Sequence, residues 1–206
     1  MVGQGVLREC LLDADVERVL AIGRTSTGQK HEKLSEADFS KLGDVSGFDA
    51  CFFCLGITSA GMNEEEYTRV TYDITIDAAR KLVKGNPDMT FIYVSGSGTD
   101  STAKGRSMWA RVKGKTENAL LEMPFKAKFM FRPAFIQPQH GIKSKTKLYR
   151  AIYVVSAPLY PLWKALVPKY VTTTETVGRA MLIVAKKGAP KSILENQDIN
   201  EIVRLA

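Results

Sequence analysis

Few side chains in this chain of 206 residues can do chemistry, and their types narrow the options quickly. Cys51 and Cys54 have the spacing of a redox pair. They sit in an apolar run that reads as a strand, however, where side chains three positions apart point to opposite faces. With Cys10 they read as reduced thiols of a cytoplasmic protein. His31 and His140 are far apart and neither has neighbours at metal-ligand spacing, so no metal site is expected. Lys and Arg number 29 against 22 Asp and Glu, a net charge of +7. That balance suits an anionic ligand, nucleic acid or an acidic membrane surface without choosing among them. Lys143, Lys145, Lys147 and Arg150 form a basic run after Pro138-Gln139-His140-Gly141. It reads as a solvated loop, as a loop for an anionic substrate group, or as a nucleic-acid or lipid-headgroup patch. No aromatic stacking platform is interleaved with it, which disfavours nucleic acid.

The elements that must position any site follow from pattern. Hydrophobic residues make up 45% of the chain and charged residues 25%, values of an ordinary globular protein that disfavour disorder and a disulfide scaffold. Val6, Leu7, Cys10 and Leu11 lie on one face of a helix over residues 2–13. Apolar runs over 16–23, 48–56, 89–95 and 127–132 read as strands. Helical patterns cover 64–84, ended by Gly85-Asn86-Pro87, and 107–122. Thr172–Met181 opens a helix over 172–187, with a threonine N-cap and Glu175 in its first turn. Continuous apolar strands separated by helices indicate a parallel sheet covered on both faces, the doubly wound α/β class. The expectation is one domain over 1–206, with 135–170 as a small substrate-side subdomain. A membrane span over 148–168 is disfavoured by its short apolar part, Arg150, Lys164 and the prolines. Attachment to a membrane surface through an amphipathic segment is the weaker alternative there.

The chain begins Met1-Val2-Gly3-Gln4-Gly5, directly at a helix. A doubly wound nucleotide-binding sheet opens instead with a strand and a Gly-rich turn. These residues look like the back half of that turn. The next strand ends in Gly23-Arg24, where such a chain meets an adenosine ribose; an arginine there suits a 2′-phosphate, favouring NADP over NAD.

In order and spacing these segments resemble the atypical and extended short-chain dehydrogenases/reductases, specifically the NAD-dependent epimerase/dehydratase-like and NmrA-like proteins with one Rossmann domain. The resemblance covers almost the whole chain. It implies a Rossmann-like sheet that lacks its first strand and most of the Gly-rich turn. Val2 and Gly3 match the end of the glycine fingerprint, and Asp38-Phe39 occupies the place where the family touches adenine. Leu55-Gly56 matches the turn beside the cofactor, and Arg132-Pro133 the pair near the nicotinamide.

The resemblance also implies a serine, a tyrosine and a lysine, the last two four apart on one helix face. Ser95, with Ser97 two residues on, matches the serine. Lys113, within Val112-Lys113-Gly114-Lys115, matches the lysine that holds the cofactor ribose. The tyrosine position holds Trp109, whose indole N–H donates but is no acid or base near neutral pH. Trp109 reads as a packed helix aromatic or as a wall of the nicotinamide pocket. Tyr93, Tyr149 and Tyr153 are the alternative proton donors. The function implied is an NAD(P)-binding oxidoreductase or epimerase-like enzyme on a small-molecule substrate. The alternatives are a non-catalytic NADP-binding redox-sensing module, or an N-terminally incomplete fragment that binds its cofactor weakly.

Overall fold

The structure, a computed structural model, describes residues 1–142 and 166–206. In chain order the elements are α1 (Val2–Leu12), β1 (Val19–Ile22), β2 (Leu34–Ala37), β3 (Ala50–Phe53), α2 (Glu64–Thr68), α3 (Ile74–Gly85), β4 (Thr90–Val94), α4 (Met108–Leu121), β5 (Ala127–Arg132), β6 (Phe135–Gln137), β7 (Val171–Thr173), α5 (Thr174–Lys187), β8 (Ile193–Glu195) and α6 (Asn196–Leu205). Two compact units are formed. The first comprises Met1–Ala37, Pro133–Gly188 and Leu194–Ala206, and the second Asp38–Arg132 and Ala189–Ile193.

The architecture is the expected parallel α/β. The strands fall into sheets of order β1-β2, β3-β4-β5-β8 and β6-β7. β1 runs parallel to β2, β3 to β4, β4 to β5 and β6 to β7. Among the described residues no strand pairs with both β1 and β3, so the first strand of the usual six-strand order has no counterpart.

In the second unit β4 is buried over Thr90–Tyr93, as a parallel strand covered on both faces must be. Phe91 stacks between Phe53 and Phe125, with ring centroids 5.9 and 4.8 Å away. The helix expected over 64–84 is one helical run with a π-helical turn, Arg69–Asp73, between α2 and α3. Such a turn inserts one extra residue that periodicity does not register. Asn63 caps α2, its side chain accepting from the Glu66 amide while Glu66 accepts from the Asn63 amide. At the far end of α3 the buried Asn86 donates to the carbonyls of Leu82 and Val45 and accepts from the Phe48 amide.

In the first unit α1 crosses α5 at unusually close range. A Cβ on Gly5 would lie 2.6 Å from the Thr174 carbonyl oxygen, and one on Gly178 would lie 3.0 Å from the Gly5 carbonyl oxygen. The notch buries Val6 and Cys10 of α1 and Val177, Ala180, Met181 and Val184 of α5. The helix expected from Thr172 begins two residues later, because Val171–Thr173 pair as a strand with β6. Thr173 is its N-cap, accepting from the Thr176 amide at 2.9 Å, and Glu175 lies in its first turn as expected. The basic run Lys143–Arg150, Tyr149, Tyr153 and most of the expected subdomain over 135–170 lie outside the described residues. No helix among the described residues is long and apolar enough to cross a membrane.

The Gly5 contact generates a test. Gly5→Ala drives a methyl into a backbone oxygen; overpacking of this kind costs about 1–3 kcal/mol, against up to about 1 kcal/mol regained in helix propensity. A net loss is therefore expected in denaturant unfolding, with Gln4→Ala, an exposed change one residue away, close to neutral.

Candidate functional site

The chemistry-bearing side chains of the second unit gather at the carboxyl ends of β4 and β5, where parallel sheets bind their ligands. Ser95 follows β4 directly, Arg132 closes β5, and Lys113 and Glu117 stand four apart on one face of α4. Glu117 is fully buried. Its carboxylate accepts from the Ser95 hydroxyl at 2.5 Å and from Arg132 Nε at 3.0 Å. Arg132 Nη2 donates to the second oxygen of Glu117, and also to Ser101 Oγ at 2.6 Å. This two-pronged geometry is the strong form of an arginine–carboxylate pair. Half-buried Lys113 donates from Nζ to the Ser95 backbone carbonyl. Burial pulls its ammonium down to about 8, and the Glu117 charge opposes that shift.

The loop after Ser95 is braced as a shelf against α4. A Cβ on Gly114 would fall 1.7 Å from the Asp100 carbonyl oxygen, so only glycine lets the helix come this close. The exposed Asp100 carboxylate accepts from Thr102 Oγ1 at 2.7 Å and from the amides of Thr102, Lys104 and Gly105. These donors, the Thr102 hydroxyl first, hold it below the usual carboxylate range. Arg111 donates to the Gly105 and Arg106 carbonyls and pairs with Glu64 at 2.5 Å. Trp109 lies one turn before Lys113, with the benzo edge of its ring against Gly98, a residue held at φ +85°.

The structure thus brings together Ser95, Lys113 and Arg132, with Trp109 on the adjoining turn. The Ser95 hydroxyl is buried and its single proton goes to Glu117, whereas Ser97 is exposed. Tyr93 is buried in the sheet, and burial raises its phenol so far that it stays neutral. Leu55 and Gly56 are exposed beyond β3. Asp38 caps a short 3-10 helix, accepting from the Ser40 amide at 2.9 Å, and Phe39 begins that helix. Pro133 is buried. In the first unit Val2 and Gly3 form the start of α1, partly exposed, and Arg24 is exposed beyond β1. His140 pairs with Glu175 at 2.7 Å. None of the three cysteines is in a disulfide, and burial, with the charge of Cys54, raises Cys51 to about 12. No cluster of metal-ligating side chains is found among the described residues. Glu117, Ser101 and Asp100 were not singled out from sequence. The available signal for Glu117 was an acid one turn after Lys113, on the helix stripe that Val112, Thr116 and Leu120 bury.

Comparisons with solved structures decide the fold. The chain superposes on Helicobacter pylori ADP-L-glycero-D-manno-heptose-6-epimerase with a TM-score of 0.63 and 14% identity, covering 100% of this chain and 77% of that one. It superposes on Bordetella bronchiseptica WbmF in complex with NAD+ with a TM-score of 0.60 and 13% identity, covering 99% and 74%. The fold is the Rossmann-like parallel α/β fold of these proteins. Two curated proteins are similar over most of their length. Protein FMP52-2, mitochondrial, of Scheffersomyces stipitis is 26% identical, covering 94% of this chain and 86% of that protein. HTATIP2 of Rattus norvegicus is 26% identical, covering 96% and 83%. No protein-family profile matches the chain.

The depressed Lys113 carries a pH dependence. A base whose folded value lies below its unfolded one binds fewer protons in the fold, so it adds stability as pH rises from about 8 towards the ordinary 10.5. Unfolding of the wild type and of Lys113→Gln at steps from pH 7 to 10.5 isolates this contribution. The wild type should gain on the variant across that window, and a constant difference would contradict the assignment.

Proposed function

We propose that the chain is the nucleotide-binding body of an NAD(P)-dependent oxidoreductase or epimerase-like enzyme acting on a small molecule, with NADP preferred over NAD. One observation carries the reading: a half-buried ammonium, Lys113, stands at the carboxyl end of a parallel strand with one proton given to the Ser95 carbonyl. An ammonium has three protons, so two remain for vicinal hydroxyls, which fits the ribose of a dinucleotide. WbmF, a neighbour in fold, forms complexes with NAD+, with NADH, and with NAD+ and UDP. Once bound, a nicotinamide supplies hydride transfer to or from the substrate carbon. The residues of this chain hold and orient. Lys113 grips the sugar, the Asp100-anchored loop fixes the floor beside it, and the exposed Ser97 hydroxyl is available to a substrate oxygen. The NADP preference rests on Arg24, whose guanidinium suits a 2′-phosphate.

Trp109 supports a second reading, in which the chain binds the cofactor without turning over a substrate. It occupies the turn before Lys113 where the resemblance places a proton-exchanging tyrosine, and its indole cannot exchange a proton near neutral pH. Reduction of a carbonyl substrate by the wild type with NADPH would remove that reading.

Calorimetric titration tests the binding. NADPH should bind more tightly than NADH, Lys113→Ala should weaken both by about tenfold or more, the worth of hydrogen bonds from a charged donor, and Arg24→Ala should narrow the gap between the two. No saturable binding of either dinucleotide overturns the proposal.

A further inference from the structure

The cluster at the ends of β4 and β5 contains one group that the proposed binding does not use. Glu117 is fully buried and therefore touches no ligand directly, yet each of the other members answers to it. The Ser95 hydroxyl lies 2.5 Å from Glu117 and 3.2 Å from the Phe131 carbonyl, and its one proton favours the nearer, charged acceptor. Arg132 turns two nitrogens on it and spends Nη2 again on Ser101, tying β5 to the loop after Ser95. Lys113 stands one turn earlier on the same helix and bonds the carbonyl of the very serine whose side chain Glu117 holds.

We infer that Glu117 is the positioning residue of this site: its carboxylate fixes Ser95 through the hydroxyl, so that the Ser95 carbonyl is presented to Lys113, and supplies the negative charge that the Lys113 ammonium faces. The remaining groups around the cluster leave that charge unrivalled. Arg132 approaches from β5 as a cation, and Tyr93 from β4 is kept neutral by burial. A carboxylate withdrawn from water is costly unless it is paired and hydrogen-bonded, and here Ser95 and Arg132 supply three hydrogen bonds to it. The arrangement makes the ammonium of Lys113 and the turn at Ser95 depend on a residue that no ligand reaches.

The ligand part of this inference rests on the dinucleotide reading, but its decisive measurement does not. The extent of acetylation at Lys113, followed by mass spectrometry across pH 6–10 on the ligand-free chain, gives the pH at which that amine titrates. Glu117→Gln should lower that pH; Glu117→Gln/Arg132→Gln, which removes both members of the buried pair and keeps the measurement open if the single variant does not fold, should lower it by less, because a cation goes with the carboxylate. Ser95→Ala, which leaves the ion pair intact, should shift the Lys113 titration in the same direction by less. In NADPH titrations at pH 7.5 the Glu117 variants should bind several-fold more weakly, with the deficit shrinking at pH 6, where Lys113 is charged regardless. A Glu117 variant that melts earlier but titrates Lys113 at the wild-type pH would show a merely structural residue and overturn the inference. If the wild type binds no dinucleotide, the proposed function fails, and the Lys113 titration still decides the role of Glu117.

Discussion

A carboxylate with no access to water organises the second unit. Burying an ion costs several kcal/mol after relaxation and is tolerated only when good geometry returns the loss. Glu117 receives that geometry from two strand ends and a loop at once: the serine just after β4, the arginine that ends β5, and through that arginine the hydroxyl of Ser101. The pair therefore does more than join two charges. It fixes the relative position of the two strand ends, and it does so around a carboxylate that is itself fully buried. Buried ion pairs are weak evidence of stability, and breaking one by removing a single partner is strongly destabilising.

The shelf beside this pair is built by a different kind of constraint. Gly114 admits the Asp100 carbonyl into the surface of α4, and Asp100 in turn gathers four donors from its own loop. Backbone and short side chains do the bracing. The loop between β4 and α4, residues 95–107, is thereby held without a regular element of its own, and Arg111 locks its far end to α2 through Glu64. In the first unit the same device reappears at larger scale, with Gly5 and Gly178 letting two helices close to backbone contact.

Much of this was legible in the sequence, for reasons that can be stated residue by residue. β3, β4 and β5 are continuous apolar runs because both faces of a parallel strand are covered, and such runs stand out between helices. Gly85-Asn86-Pro87 announced the end of α3, and Asn86 proves to seal it with three hydrogen bonds. β6, β7 and β8 were missed because three residues are too few to show a period, and the π-helical turn at Arg69–Asp73 because one extra residue leaves the helical pattern nearly intact. Ser95 and Lys113 were found through the family resemblance, the first at a strand end and the second on the helix that follows. Glu117 was not, because an acid on a helix rich in lysine reads as a solvated charge. What makes it a core residue is a partner fifteen positions away in sequence, Arg132, and no local pattern records that.

Trp109 has one further consequence. The chain has two tryptophans, Trp109 and Trp163. The first lies edge-on against Gly98 in the loop that follows Ser95, one turn from the lysine. Replacing Trp163 with phenylalanine would leave a single indole as an intrinsic optical reporter. Its emission would register any molecule settling beside that loop, whatever its chemical identity, and without a dye or an assay of turnover.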